Sequence, residues 1–311
     1  MTSFLNSVQS VSVVLLLTAT GYLCARLGWL TDEVKRFLNK FVITIAMPGA
    51  CVYGLTNNLT QELVAQSHIL LLIPLVCIAL NFAIAVPLGR LLKLLRKRQG
   101  VFVMMCSLSN SLFIGYPMCR ELFGDVCIPY VMLFYMVSTV FTQVVGLSLI
   151  RWSANAEPLS GKLLVKFLRS PPIIGVTLGY VLVLCDLHLP GLVNSYLRYM
   201  NQVVSPLALL ITGRIIFEIG LKNLHIDRDM VLVMLFRFLL SPALFVIACS
   251  LLGTDPLARS VYVVQAAMPV VTLTVVASSE YGADEQFAAQ GAAITSLASF
   301  AVIPVLMIFL Q

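Results

Sequence analysis

Ten apolar runs recur along the chain, at about 8–27, 36–56, 68–89, 101–123, 127–150, 170–187, 197–219, 229–252, 258–280 and 287–310. Each is near the length of about 20 residues that crosses roughly 30 Å of hydrocarbon. Of the 311 residues, 59% are hydrophobic and only 11% charged. A soluble domain of this size cannot present so little polar surface to water, so the chain reads as an all-α polytopic membrane protein lying in a lipid bilayer. The first run lacks a basic leader and a small-residue cleavage site, and reads as a retained span.

Orientation follows from lysine and arginine. If the runs alternate in direction, one side collects Arg26, Lys35, Arg36 and Lys40, then Arg90, Lys93, Arg96, Lys97 and Arg98. The same side receives Arg151, Lys162, Lys166 and Arg169, then Arg214, Lys222, Arg228 and Arg237. Only Arg120, Arg198 and Arg259 fall on the other. The rich side is therefore cytoplasmic, with both termini outside, in a cell membrane (inner or plasma). The net charge of +6 is a record of topology and implies no nucleic-acid partner.

The longest polar connection, 151–169, is read as a cytoplasmic loop between a first five-helix repeat at 1–150 and a second at 170–311. An odd number of spans per half inserts the second half upside down, giving two five-helix inverted repeats. Matching pieces recur at an offset near 160: Pro48 with Pro206, the VFVM at 101–104 with the VYVV at 261–264, and the FGD at 123–125 with the YGAD at 281–284.

Two corresponding runs, the fourth and the ninth, are interrupted. The fourth carries Ser109, Asn110, Ser111, Gly115, Tyr116 and Pro117 where a plain membrane helix would be leucine and valine. The ninth carries Gln265, Pro269, Val270 and Thr272. Proline lacks an N–H and clashes with the carbonyl four residues back, and glycine is a poor interior helix residue. Backbone leaves the helix at membrane depth only where protein or a water-filled cavity covers it. Paired interruptions in corresponding places of two halves point to two broken helices, 4 and 9, and to a solute site at mid-membrane. A helix that restarts there offers unpaired N–H groups and the positive end of its dipole, which suits an anion. Asn110 adds a neutral donor, with Ser109 and Ser111 beside it.

These residues resemble the auxin efflux carrier family, to which the plant PIN-type carriers and bacterial relatives belong. The resemblance covers the whole chain and is most specific in SNSLFIGYPMCRELFGD at 109–125, LPGLVNSYLRYMNQVVSPLALLITG at 189–213 and AAMPVVTLTVVASSEYGAD at 266–284. It implies ten transmembrane helices, with crossed broken helices 4 and 9, in a fold like that of NhaA-type antiporters and bile-acid symporters. Helices 1, 2, 6 and 7 would form a dimerising scaffold, and helices 3–5 and 8–10 an elevator-type transport domain. It also implies a homodimer and a small organic anion substrate: a carboxylate such as malonate, malate or lactate, or an auxin-like acid. The long regulatory loop of the plant carriers is missing. Arg214 stands where the family commonly has a small or apolar residue, which weakens any inheritance of substrate from a relative.

Met47 and Cys51, beside Pro48, are placed near the site. Arg214 and Arg237 are candidates for drawing anions inward; the plainer reading is snorkelling at the cytoplasmic end, with Arg214 paired to Glu218. Arg120 and Glu280 are expected to be solvated at span ends. The eight cysteines form no C-x-x-C pair, and His68, His188 and His225 fall near span ends, so neither a metal site nor a cofactor is expected. No H-E-x-x-H, G-x-S-x-G or P-loop occurs, which argues against an enzyme. Two other readings stay open: an ion-coupled (sodium or proton) symporter of other organic solutes, and a non-transporting membrane sensor.

Overall fold

A computed structural model describes residues 2–156, 169–220 and 224–310. Lys162, Lys166, Lys222 and most of the expected central loop lie outside the described residues. Every regular element among those described is helical. The first half contains α1 (Thr2–Arg26), α2 (Asp32–Phe41), α3 (Met47–Asn58), α4 (Gln61–Leu91), α5 (Arg96–Ser107), α6 (Tyr116–Phe123), α7 (Ile128–Phe141) and α8 (Leu147–Ser153). The second contains α9 (Pro171–Leu184), α10 (Gly191–Ile219), α11 (Arg228–Leu235), α12 (Ser241–Leu251), α13 (Pro256–Ala266), α14 (Leu273–Tyr281) and α15 (Glu285–Leu310).

Among the described residues, seven helical stretches are long and apolar enough to cross a membrane: Ser7–Arg26, Asp32–Asn58, Gln61–Leu91, Asp125–Ser153, Gly191–Ile219, Arg228–Leu251 and Glu285–Leu310. The chain is a multi-span helical membrane protein. The shorter apolar helix α9 covers the sixth run, and the fourth and ninth runs are each broken in two, as α5 with α6 and α13 with α14. Several helices begin before their apolar run does. α4 starts at Gln61 because the Thr60 hydroxyl accepts the Leu63 N–H at 3.3 Å, an N-cap that carries the helix into polar sequence. Asp227 caps α11 through the Met230 N–H at 2.8 Å, and Asp255 caps α13 through Leu257 and Ala258 at 3.0 and 3.1 Å.

Three prolines share one local solution. Pro48, Pro117 and Pro242 each follow a π-helical turn, at Val42–Ala46, Ser111–Gly115 and Phe236–Leu240. The widened turn closes with bonds five residues apart, Met47 N–H to Val42 O and Ser241 N–H to Phe236 O. It relieves the clash between the proline ring and the preceding turn, so the helix continues.

The helices pack through small residues. α1 lies along α10, and α3 against α9 and α10. α5 packs on α4 and α8, α7 on α4 and α13, and α12 on α4 and α13. Lipid tails are as apolar as leucine, so close backbone approach and buried polar contacts hold such helices together. Asn81 of α4 donates to the Ser241 hydroxyl of α12 at 3.0 Å, both side chains buried. At the α1/α10 contact, a Cβ on Gly213 would lie 2.0 Å from Thr18 O, and one on Gly21 2.2 Å from Leu210 O.

Gly213→Ala is accordingly expected to force α1 and α10 apart and cost about 1–3 kcal/mol of stability. Gly191→Ala, whose Cβ would meet nothing within 4 Å, is the control and should change stability by less than about 0.5 kcal/mol. Thermal unfolding in detergent compares them; equal melting temperatures would show that the α1/α10 seam yields freely.

Candidate functional site

The two interruptions meet. After α5 ends at Ser107, Leu108 is extended, at φ −120° and ψ 135°. Ser109 then pairs with Val270 in a single antiparallel bridge, and the Asn110 N–H donates to Pro269 O at 2.7 Å. The Val270 N–H donates to the Thr295 hydroxyl of α15 at 3.1 Å. Asn110 works in both directions: its Oδ1 accepts the Phe113 N–H at 3.2 Å, and its Nδ2 donates to Thr272 Oγ1 at 2.9 Å. One Nδ2 hydrogen is left over, since an amide carries two. Asn110 thus caps the restarting helix and ties it to the opposite linker.

A cavity of about 160 Å³ opens where the restarting helices begin. Its wall comprises Ser109, Asn110, Ser111, Leu112 and Phe113 from one linker and Val271, Thr272 and Leu273 from the other, closed by Tyr135, Ser138, Thr139, Thr142 and Gln143. No charged side chain is part of that wall. The first N–H groups of a helix lack intrahelical partners and carry its positive end, so two such ends converge here. Thr139 and Thr142 donate to Tyr135 O and Ser138 O in their own helix, each at 2.7 Å. The hydroxyls of Ser109, Ser111 and Ser138 and the Gln143 amide also belong to residues of this wall.

The opposite helix ends are served by Arg237. Its Nε donates to Met268 O at 3.1 Å, its Nη2 to Met268 O at 2.9 Å and to Ala266 O, and its Nη1 to Cys106 O at 3.4 Å. The side chain is buried, at 1% exposure. Snorkelling at a cytoplasmic end is therefore corrected: the π-helical turn Phe236–Leu240 carries Arg237 into the protein interior, against the terminal carbonyls of α5 and α13.

A larger cavity, about 580 Å³, opens between α2 and α10 on one wall and α14 and α15 on the other. Lys35, Asn39, Ile215, Glu218 and Ile219 form the first wall; Thr272, Val275, Val276, Glu285, Gln286 and Ala289 form the second. Thr272 belongs to both cavities. Lys35 Nζ donates to Glu218 at 2.6 Å, and Arg214 reaches Asp32 at 3.1 Å. Arg214 Nε also lies 2.9 Å from Glu218 Oε1, a charge contact off the hydrogen-bond direction. The expected Arg214 and Glu218 pair exists, but it belongs to this four-residue network at the cavity mouth.

The other expected site residues divide. Gly115 packs on Gln265, whose Oε1 would lie 2.3 Å from an added Cβ. Gln265 is fully buried with no conventional partner for its amide, and the soft Cys119 thiol is a poor one. Pro117 opens α6 and is buried; Pro269 and Val270 contribute backbone to the crossing. Tyr116 is buried and donates to Asn201 Oδ1 of α10. Met47 and Cys51 are buried too, Cys51 Sγ lying 3.3 Å from Met132 Sδ, and neither lines either cavity. Arg120 is corrected as well: it is paired with Asp125 at 2.6 Å and with Asn201 O at 3.1 Å, while Glu280 is exposed.

Sequence reading missed the wall formed by α7 and the π-helical turn Thr142–Gly146 that follows it. Tyr135, Ser138, Thr139, Thr142 and Gln143 were available as a polar stripe in an otherwise apolar run, spaced by three and four residues. It also missed Asn201, which shares the first turns of its helix with Asn194, Ser195, Arg198 and Gln202 and so does not stand out.

The sequence matches the family described as Membrane transport protein over residues 7–307. An uncharacterized transporter of Methanocaldococcus jannaschii is 26% identical over 299 residues, which are 94% of this chain and 95% of the relative. One of Methanothermobacter thermautotrophicus is 26% identical over 308 residues, 97% of each. A Rhizobium meliloti protein named "Putative malonate transporter" is 24% identical over 298 residues, 94% of this chain and 92% of its own.

Gln265 generates a stability prediction. Replacing its buried, poorly satisfied amide by the similarly sized thioether in Gln265→Met should stabilise the protein by about 1–3 kcal/mol, since unmade buried hydrogen bonds cost that much. Melting temperature in detergent reports it, and a fall would show that the amide holds strong bonds.

Proposed function

The chain belongs to the membrane transport protein family, the auxin efflux carrier family that its sequence resembles, and we propose that it carries a small organic anion by alternating access. The observation that carries this reading is the uncharged cavity of about 160 Å³ into which two restarting helices direct their N-termini. Neutral donors and helix ends attract a carboxylate without trapping it in a buried salt bridge. A cavity of that size suits a small carboxylate such as lactate or malonate, and the name of the Rhizobium meliloti relative agrees with that class.

The proposed architecture is ten crossings in two inverted five-helix halves, with both termini outside the cytoplasm. α1, α3, α9 and α10 would be the scaffold and the dimer surface, and the remaining spans the moving body that carries the crossing. The packing of α1 on α10 and of α3 on α9 and α10 supports such a grouping. So do the matched interruptions. The wider cavity beside Lys35 and Glu218 would be the cytoplasmic approach.

Uptake of radiolabelled lactate and malonate into proteoliposomes tests the reading. Asn110→Ala should weaken the apparent affinity about 2- to 10-fold, the equivalent of one hydrogen bond at about 0.5–1.5 kcal/mol. Asn110→Asp, which adds a negative charge beside the anion, should weaken it more than Ala does. Unchanged affinity in both would remove Asn110 from the substrate, and binding without flux in the wild type would mark a sensor.

The moving-body proposal has its own check. Ile128 side-chain atoms lie within 3 Å of where a Gly54 Cβ would sit, joining α3 to α7. Crosslinking Gly54→Cys to Ile128→Cys should stop flux and spare anion binding; undiminished flux would overturn the rigid-body motion.

A further inference from the structure

We infer that Arg237 is a tethered cation occupying the place that a coupling ion takes in broken-helix transporters, so that this carrier works without sodium. The sodium statement rests on the carrier reading above; the role of Arg237 at the crossing does not.

The argument begins with the partners. Arg237 has no carboxylate partner among the described residues; its hydrogen bonds go to the carbonyls of Cys106, Ala266 and Met268. Those carbonyls close the last turns of α5 and α13 and the first step of the linker after α13. Each helix end carries about half a negative charge, so two of them together balance about one cation. In transporters built from interrupted helices, unwound carbonyls and half-helix C-terminal ends of this kind coordinate sodium or a proton.

Here the ligands are already engaged by a side chain from a different helix. Nη2 alone contacts two of the three carbonyls, so an inorganic cation at that position would meet the same oxygens. A guanidinium also cannot give up its proton in a protein, so Arg237 does not carry protons through the cycle. The crossing is thus permanently charged on its C-terminal side and leaves only its N-terminal side for a solute. This also separates Arg237 from anion capture: it is a positioning residue, and its distance from the anion is a requirement of the role.

Removing the side chain should expose a vacant cation site. Thermal unfolding in detergent is measured for wild type, Arg237→Ala, Arg237→Gln and Arg237→Lys, in sodium, potassium or choline chloride at one ionic strength. Wild type and Arg237→Lys should melt at the same temperature in all three salts. Arg237→Ala and Arg237→Gln should melt lower in choline and recover by about 2–4 °C in sodium or potassium, as a ligand that binds only the folded state would cause. A merely structural arginine would give variants that are destabilised equally in every salt, and that result overturns the inference. Wild type stabilised by sodium over choline overturns it too, even if neither neutral variant can be purified. Radiolabelled lactate uptake is run in parallel with sodium replaced by choline: equal rates are expected, and a sodium requirement refutes the proposal. Absence of both lactate and malonate flux under all conditions would refute the carrier reading alone, leaving the melting results to decide the role of Arg237.

Discussion

Backbone freed in a dry interior must find partners, and the crossing exists because distant side chains supply them. An orphaned buried group costs about 1–3 kcal/mol, and two interruptions release several N–H and carbonyl groups at once. Thr295 takes the Val270 N–H, Asn110 takes that of Phe113, and Arg237 takes the carbonyls of Cys106, Ala266 and Met268. These partners come from α15, from the first linker itself and from the turn between α11 and α12. The broken helices are therefore not self-sufficient; they hold their shape only inside the assembled bundle.

Polarity is sorted as a consequence. Helix C-termini face a fixed positive charge, and helix N-termini face hydroxyls, amides and space. On the α6/α10 side, Tyr116, Arg120, Asp125 and Asn201 form a hydrogen-bonded cluster that joins the two helices. On the other side, α2 and α10 stand apart from α14 and α15 across a cavity of about 580 Å³. Hydrogen bonds thus join the helices on one side of the crossing, and a cavity parts them on the other.

Much of this was legible in the chain. Pro117 and Pro269, with Asn110 and Gln265 near them, pointed to both breaks, although proline alone does not make one: Pro74, Pro87, Pro206 and Pro304 stand inside continuous helices. The near-160 offset suggested the two breaks as counterparts; the structure adds that they touch, Ser109 pairing with Val270. Arg237 was misread because its position two turns into an apolar run also fits a snorkelling side chain. The available clue was negative: it has no acid three or four residues away, so a buried Arg237 had to find oxygen elsewhere, and spacing along one helix does not reveal carbonyls on two others. Arg120 failed for a related reason, since Asn201 is 81 positions away. The π-helical turns were equally hidden; a proline announces strain, but whether the chain kinks, breaks or widens depends on what packs around it.

Thr272 has a place in the walls of both cavities. Its side chain therefore borders both the polar chamber and the wider cleft. A threonine rotamer changes within picoseconds to nanoseconds when space allows, so its hydroxyl alone cannot hold back water or small ions for the duration of a transport cycle. Tightness against leakage must come from its apolar neighbours Val271 and Leu273 and from the Asn110 amide that grips the hydroxyl. Packing around this one residue therefore bears on how well the two spaces are kept apart.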